Sequence, residues 1–448
     1  MTPPLASSAS VQGAGSEITP QTRRRRAWAL RFTAANLLRP SDPTKRGPSV
    51  CACGTVAHDT EEVGLHLSAG GVGRTSGTLR CRSGTLCPVC APSVAKERQE
   101  RVGEVYDIVH YRKGQTPMVT LTVRHDRRMA LAELRAVVDA AWRDVRRGAP
   151  WARAKKRWGV LGVLTAPEVT WSQAHGWHYH LHIGLPCQTT EDGARDLGAW
   201  VIDRYLRYVR AAGYTAVREA QDVTLPDSRG AIVDYLAKGV SLHGDLAWEL
   251  AGATLKRARK ARSGMHPFDL LEASAGDPRM ADLWREYAKA MKGIRSCVVT
   301  KSLAKVLGID EDDDVQEPGV EQQADEPVGH LPRHVWLAVH RRGRSSTVLA
   351  VLEDRGPEAW AEVQRVAFDL AGFDPPDQGP RAPVPPRVVA PTAAQIAREA
   401  LSCRWAERNS GDAIRKVMDR ARGHAVATGC QFDPPDLREV MRLVAEAR

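Results

Sequence analysis

The sequence has no uninterrupted apolar stretch long enough to cross a bilayer, and its N-terminus has no apolar core of the kind a signal peptide carries. A cytoplasmic protein with no membrane partner is expected. In that reducing compartment the nine cysteines read as thiols rather than disulfides, and clustered ones as metal ligands. No internal repeat is visible, so 448 residues call for two or three domains, each burying its own core. Residues 1–45 lack a periodic apolar pattern and are rich in Ala, Ser, Thr, Pro and Arg, which reads as a disordered basic tail. Between Asp310 and Glu326 nine acids occur without a single Lys or Arg, marking residues 309–330 as an acidic linker.

Positive charge is in excess, with 64 Lys and Arg against 53 Asp and Glu for a net charge of +11, which favours a polyanionic partner. The excess is concentrated in Arg23 to Arg26, in Lys155-Lys156-Arg157 and in Lys256-Arg257-Ala258-Arg259-Lys260-Ala261-Arg262. A single basic run is most often a solvated face. Several of them beside a metal motif point to nucleic acid, with Lys256, Arg257, Arg259, Lys260 and Arg262 as the candidate contacts.

That motif is Gly176-Trp177-His178-Tyr179-His180-Leu181-His182-Ile183-Gly184, whose aromatic and branched residues suit a strand. Alternate side chains on a strand share a face, so His178, His180 and His182 are predicted to point the same way. Three of 14 histidines within five positions is a metal-site pattern, and a hard ion such as Mg²⁺ or Mn²⁺ would also want a carboxylate. Glu168 on the preceding strand supplies one, since a hairpin centred near Ala174 or His175 sets it across from His180 or His182.

Around this strand the expected elements are a helix over 93–109, a strand over 117–124 and a helix through Leu131, Leu134, Val138, Trp142 and Val145 that ends at Gly148. Strands over 158–171 and 177–185, a helix over 191–212 with Leu197, Val201, Tyr205 and Val209 on one face, a strand over 215–225 and a helix over 229–240 follow. The order strand-helix-strand-strand-helix-strand is the split ferredoxin-like arrangement, an α+β fold with an antiparallel sheet and helices on one face. Residues 331–373 read as a small α/β module with strands at 335–339 and 346–351, residues 374–391 as a Pro-rich linker, and residues 392–448 as a helical region.

Within the cysteine-rich segment 46–92, Cys87-Pro88-Val89-Cys90 has zinc-knuckle spacing, and Cys53 and Cys81 complete a four-thiolate set, with Cys51 as a substitute for Cys53. The alternative, a redox pair, lacks the strand-helix context such pairs occupy. Cys187, Cys297, Cys403 and Cys430 are isolated and read as small apolar residues. On the helix after the last strand, Tyr235 and Lys238 share a face. A phenol with a pKa of about 10 is about one part in a thousand ionised at neutral pH, so using it as a nucleophile costs about 4 kcal/mol unless a neighbouring Lys⁺ lowers the penalty.

Taken together these motifs resemble the rolling-circle plasmid replication initiators of the HUH endonuclease superfamily, most closely the actinobacterial plasmid type. Val119-Thr120-Leu121-Thr122, then Glu168-Val169-Thr170 with Trp177 to His182, then Tyr235-Leu236-Ala237-Lys238 occur in the family's order, and Pro267-Phe268, Leu283 to Tyr287 and Lys292 to Arg295 look like its downstream blocks. The resemblance implies an HUH endonuclease core, ferredoxin-like or RRM-like, over residues 93–308 behind a zinc-binding segment. It implies that His180, His182 and Glu168, with His178 as a further candidate, hold catalytic Mg²⁺ or Mn²⁺. Tyr235 would nick single-stranded or extruded origin DNA and retain the 5′ end, Lys238 would balance charge, the zinc segment and basic runs would hold the origin duplex, and host helicase and polymerase would follow. The sequence departs from the family at Tyr179, where Pro is common, and at Ala231, where some members have Glu. A conjugative relaxase or transposase would share the chemistry, and a zinc-dependent DNA-binding regulator would keep the cysteines without it.

Overall fold

Gly176 ends a tight turn because only glycine fits it: φ is +76°, and a Cβ there would stand 2.9 Å from the Arg127 backbone. The turn joins β5 (Leu164–Ser172) to β6 (Gly176–Gly184), and the antiparallel register sets Glu168 opposite His180 and Ala166 opposite His182. Earlier strands are β1 (Glu62–Leu67), β2 (Gly73–Ser76), β3 (Leu79–Arg80) and β4 (Met118–Thr122). β4 flanks β6, and with β7 (Asp222–Thr224) and β8 (Val298–Val299) they form an antiparallel sheet in the order β7-β4-β6-β5-β8. The computed structural model describes residues 19–42, 44–237, 264–309, 319–320, 323 and 327–374, with the backbone alone for 235–237. Lys238, the basic run Lys256 to Arg262, Cys403, Cys430, almost all of the Pro-rich linker and the C-terminal region 392–448 lie outside the described residues.

Helices α3 (Leu131–Val145) and α5 (Glu191–Ala211) form where periodic apolar residues demanded them, burying Leu131, Leu134, Val138, Trp142 and Val145 in one and Leu197, Val201, Tyr205 and Val209 in the other. Thr190 caps α5 by accepting the Gly193 amide at 3.2 Å, and Glu191 and Asp192 complement its dipole. Both helices cover the sheet face that carries Trp177, Tyr179, Leu181 and Ile183. Three elements differ from expectation. Residues 148–158, for which no element was expected, form α4 (Gly148–Trp158), because Trp151, Ala154 and Trp158 bury at helical spacing, and the strand expected over 158–171 begins only at Leu164. The strand expected over 215–225 is reduced to three residues, since the Gln221 side chain takes over the end of β4, accepting the Thr122 amide at 2.9 Å and donating to its carbonyl at 3.2 Å. Helices also lie on both faces of the sheet. α2 (Ala91–Tyr111) and α6 (Arg229–Ala237) share a second core with Met118, Leu164 and Ala166 on the histidine side.

Residues 20–38 are not a disordered tail but α1 (Pro20–Leu38), burying Trp28, Leu30, Arg31, Ala34 and Ala35. Further along, α7 (Pro267–Ala273), α8 (Pro278–Ala290) and α9 (Lys301–Leu307) precede β9 (Gly319–Val320), which pairs with β3 inside the supposed linker. Residues 335–339 and 346–351 are helical, in α10 (Arg333–Arg341) and α11 (Ser345–Arg355), followed by α12 (Trp360–Ala371). Their buried positions, Val335, Trp336 and Val339, then Val348, Leu349 and Leu352, recur at one and four residues, which a helix satisfies and a strand does not. Nor is this region separate. β10 (Gly329–Pro332) pairs with β1, giving a three-stranded sheet in the order β10-β1-β2, and Trp28, Val63 and Leu65 share one core with Trp336, Leu352 and Phe368.

Candidate metal centres and histidine face

Two groups of residues singled out from the sequence can be examined in three dimensions, beginning with the cysteines. Cys53 follows a short turn, Cys81 follows β3, and Cys87 and Cys90 bracket the turn that opens α2, where the Ala91 amide donates to the Cys87 carbonyl at 2.9 Å. All four are buried and their sulfurs lie within 4.8 Å of one another. The Cys53–Cys90, Cys53–Cys87 and Cys81–Cys90 sulfur separations are 3.6, 3.6 and 3.7 Å. A tetrahedron with Zn–S of about 2.3 Å has edges of about 3.8 Å, so the set can hold zinc with almost no rearrangement. Disulfide bonding would need sulfurs near 2 Å. Hydrogen bonds from Cys81, Cys87 and Cys90 pull the Cys53 thiol well below its usual range, the thiolate character a metal ligand needs. Cys51 does not substitute: its thiol points away, to the Ala35 carbonyl at 3.6 Å. Cys187 and Cys297 are buried and isolated, as expected.

On the sheet, His178, His180 and His182 share the face predicted for them, with Thr120 and Thr122 of β4 opposite His182 and His180. Glu168 lies across from His180 in register but bonds diagonally to His182, with Nε2 donating to the carboxylate at 2.7 Å. Adjacent ring centres are 6.1 Å apart for His178 and His180 and 6.4 Å for His180 and His182. Among the described residues the cysteine set is the group of three or more ligand atoms gathered within 4.8 Å, so the His180, His182 and Glu168 donors share a face without closing to that distance. Burial lowers the pKa of His180 against the opposing pull of Glu168, and burial followed by the charges of His125, His180 and His175 lowers that of His178 to about 4. Neutral imidazoles are the ligand form.

A fourth histidine escaped the sequence reading. His125 lies just beyond β4, and its Nδ1 donates to the His175 carbonyl at 3.2 Å. Because a carbonyl can only accept, Nε2 of the neutral ring is the acceptor, and His178 Nδ1 donates to it at 2.9 Å. That leaves Nε2 of His178 as its lone-pair nitrogen. The signal was three residues from Thr122, but nothing in the chain spacing says that the hairpin folds back against residues 125–127.

Helix α6 brings position 235 to this side of the sheet. Ile232 is fully buried beside Ala166, the register partner of His182, and position 235 is one turn further on the same side of the helix. Basic runs differ in their use. In α1 the Arg24, Arg25 and Arg26 guanidinium groups pair with Glu353, Asp354 and Glu272, whereas Arg153, Lys155, Lys156 and Arg157 of α4 are exposed.

No family model matches the sequence, and no solved structure matches it. No helix among the described residues is long and apolar enough to cross a membrane. A 139-residue stretch, 26% of this chain and 32% of the relative, is 28% identical to the neomycin resistance protein of Streptomyces cyanogenus. The chain is also 26% identical over 383 residues to the protein named Protein rep of Streptomyces lividans, an overlap of 69% of this chain and 83% of that one. Over most of its length, then, a chain with four gathered cysteines able to hold a metal and a histidine-faced antiparallel sheet is similar to a Rep protein.

Proposed function

We propose that this protein initiates plasmid replication by the rolling-circle route, nicking and rejoining origin DNA through Tyr235. The observation that carries the reading is the sheet face on which His180, His182 and Glu168 stand together while α6, with position 235, packs beside it. The similarity to Protein rep supports the biological setting, and origin DNA is the partner that the net charge of +11 suits. The HUH superfamily and a cytoplasmic location are part of the same proposal.

His180, His182 and Glu168 suit Mg²⁺ or Mn²⁺ in donor type, two imidazoles and a carboxylate. A bound divalent ion supplies polarisation of the scissile phosphate. Glu168 accepts the Nε2 proton of His182 and so sets which nitrogen that ring presents. In the reaction the Tyr235 oxygen bonds to phosphorus, the bond to the 3′ oxygen breaks, and the phenolic proton ends on the released 3′-OH. Lys238 offsets charge on the phosphate. The bond energy stays in the phosphotyrosine, so rejoining by the same 3′-OH needs no nucleotide cofactor. The free 3′-OH is then a primer for a host polymerase, with a host helicase opening the duplex ahead of it.

Incubating the protein with supercoiled origin plasmid and Mn²⁺, then resolving products on a denaturing gel, tests the proposal. Expected are open circles and a protein–DNA adduct that maps to Tyr235, both abolished by Tyr235→Phe with duplex binding retained. Binding without cleavage, or an adduct on another residue, overturns the enzymatic assignment and leaves a DNA-binding regulator.

A further inference from the structure

We infer that Arg31 and Arg80 are the countercharges of the four-cysteine metal centre, and that a filled centre adds to the ion pairs that fasten α1 to the protein body. Zinc with four thiolates carries a net charge of −2, from +2 and four times −1. Burying such a charge is tolerable only if cations lie beside it.

Arg31 is 2% exposed, an unusual position for a guanidinium. Among the described residues it forms no ion pair with a carboxylate. Its Nη2 donates to Nδ1 of His340 at 3.4 Å, which gives a hydrogen bond but no charge, and its buried Nε has no hydrogen-bond partner. The guanidinium carbon stands 5.5 Å from the centre of the Trp28 ring, and that of Arg80 is 5.1 Å from the same ring. Trp28 and His340 in turn press on the backbone next to Cys53: a Cβ on Gly54 would meet the Trp28 ring at 2.6 Å and the His340 ring at 3.0 Å. Trp336 closes this corner by donating Nε1 to the Gly54 carbonyl at 2.9 Å. Arg80 immediately precedes Cys81. Burial lowers the pKa of the Arg31 guanidinium, and Cys53, Cys87 and Cys81 are the groups that act against that loss.

The other arginines of α1 make the contrast. Arg24, Arg25 and Arg26 each reach a carboxylate, on Glu353, Asp354 or Glu272. The buried one reaches no carboxylate among the described residues, only the neutral His340 ring and the face of Trp28 beside the cysteine cluster. Arg31, with Arg80 next to Cys81, places positive charge beside the −2 centre, and without metal Arg31 is left with a smaller counterion.

The inference is independent of the nicking chemistry and is tested by zinc competition with a chromogenic chelator on the full chain. Arg31→Met is expected to weaken zinc retention by about tenfold or more, and Arg31→Lys to restore most of it. In a Cys81→His background the centre carries −1, and Arg31→Met there should cost much less than in the native centre. Equal losses in both backgrounds, or no rescue by lysine, would mean that Arg31 acts by packing and would overturn the inference. Arg80→Met, at a half-buried position, repeats the comparison if Arg31→Met does not fold. Limited proteolysis gives the second readout. Chelation should open cleavage within residues 20–38 and zinc should close it again, whereas cleavage indifferent to zinc refutes the fastening role.

Discussion

His182 holds one nitrogen against Glu168 at 2.7 Å and the other 3.4 Å from the Thr120 hydroxyl, so its orientation is set before any ion arrives. A carboxylate only accepts, which places the proton on Nε2 and leaves Nδ1 as the acceptor for Thr120 in the neutral ring. If that carboxylate also faces a divalent ion, Glu168→Gln keeps the hydrogen bond but removes the charge. We expect it to raise the Mn²⁺ concentration needed for nicking by about tenfold or more, and Glu168→Ala to raise it further. Identical Mn²⁺ titrations for the three proteins would exclude the carboxylate from the centre. The pH profile is a second prediction at this scale. Protons compete with a metal for imidazole nitrogen, and burial depresses the pKa of His180 and takes that of His178 to about 4. Neutral rings therefore persist below the ordinary value of 6.5, and the acid limb of nicking should fall below it too. An acid limb centred at or above 6.5 would argue for unburied, ordinary histidines. Much of this face was legible beforehand because a strand has period two, which fixes the shared face of His178, His180 and His182 without any knowledge of the rest of the chain. His125 was not, because its approach depends on a loop meeting a hairpin.

At the scale of elements, β6 is tied to α3 by one polar contact inside an apolar interface, with the Tyr179 hydroxyl donating to Asp139 at 2.9 Å. Burial raises the pKa of Asp139 above the ordinary carboxylate value of 3.8, so between that value and the folded one the native state binds more protons than the unfolded chain. Stability contributed by this group is thus greatest at low pH and falls as pH rises through the window. Asp139→Asn still accepts the tyrosine proton and has no charge to bury, so its stability relative to the native protein should improve as pH rises from about 4 to 6. Tyr179→Phe instead takes that donor from a half-buried carboxylate that keeps Arg135 at 3.2 Å, and should cost about 0.5–1.5 kcal/mol at neutral pH. Chemical denaturation of the two variants across that pH range decides it, and a difference that does not vary with pH would remove Asp139 as the cause. The same interface explains which elements could be read from sequence. Helices α3 and α5 each bury a stripe of large apolar side chains, which a periodicity analysis detects directly. Short apolar runs carry no such information. Val335 to Val339 suit a strand as well as a helix by composition, and only the burial of Val335, Trp336 and Val339 in one core with Trp28, Val63 and Leu65 decides for α10.

For the molecule as a whole, the first and last described segments are held together by a contact that no local pattern announces. Glu353 on α11 has a fully buried side chain that accepts from Arg24 and, at 3.1 Å, from Arg25, and from the Gly73 amide at 2.9 Å. Residues 20–38 looked like a tail because their stabilisation comes from these partners more than 300 positions away rather than from an apolar stripe. For the same reason 331–373 looked like a module of its own, although β10 completes the sheet begun by β1. The burial difference among the ion pairs predicts an order of importance. Asp354 is 62% exposed and Glu272 45% exposed, so solvent screens their pairs with Arg25 and Arg26, and Asp354→Ala or Glu272→Ala should cost less than about 1 kcal/mol. Glu353→Ala removes the only buried acid of the set and strands the guanidinium of Arg24, whose side chain is 9% exposed. Breaking a buried pair from one side costs about 3–5 kcal/mol, most of it the charge left behind. Glu353→Ala should therefore lower the unfolding midpoint markedly and expose residues 20–38 to protease, while Glu353→Ala combined with Arg24→Met, which removes the stranded charge, should recover part of the loss. Stabilities for Glu353→Ala and Asp354→Ala that match each other would show that α1 is held by the apolar contacts of its Trp28 with the core of Val63, Leu65 and Trp336 rather than by the buried carboxylate.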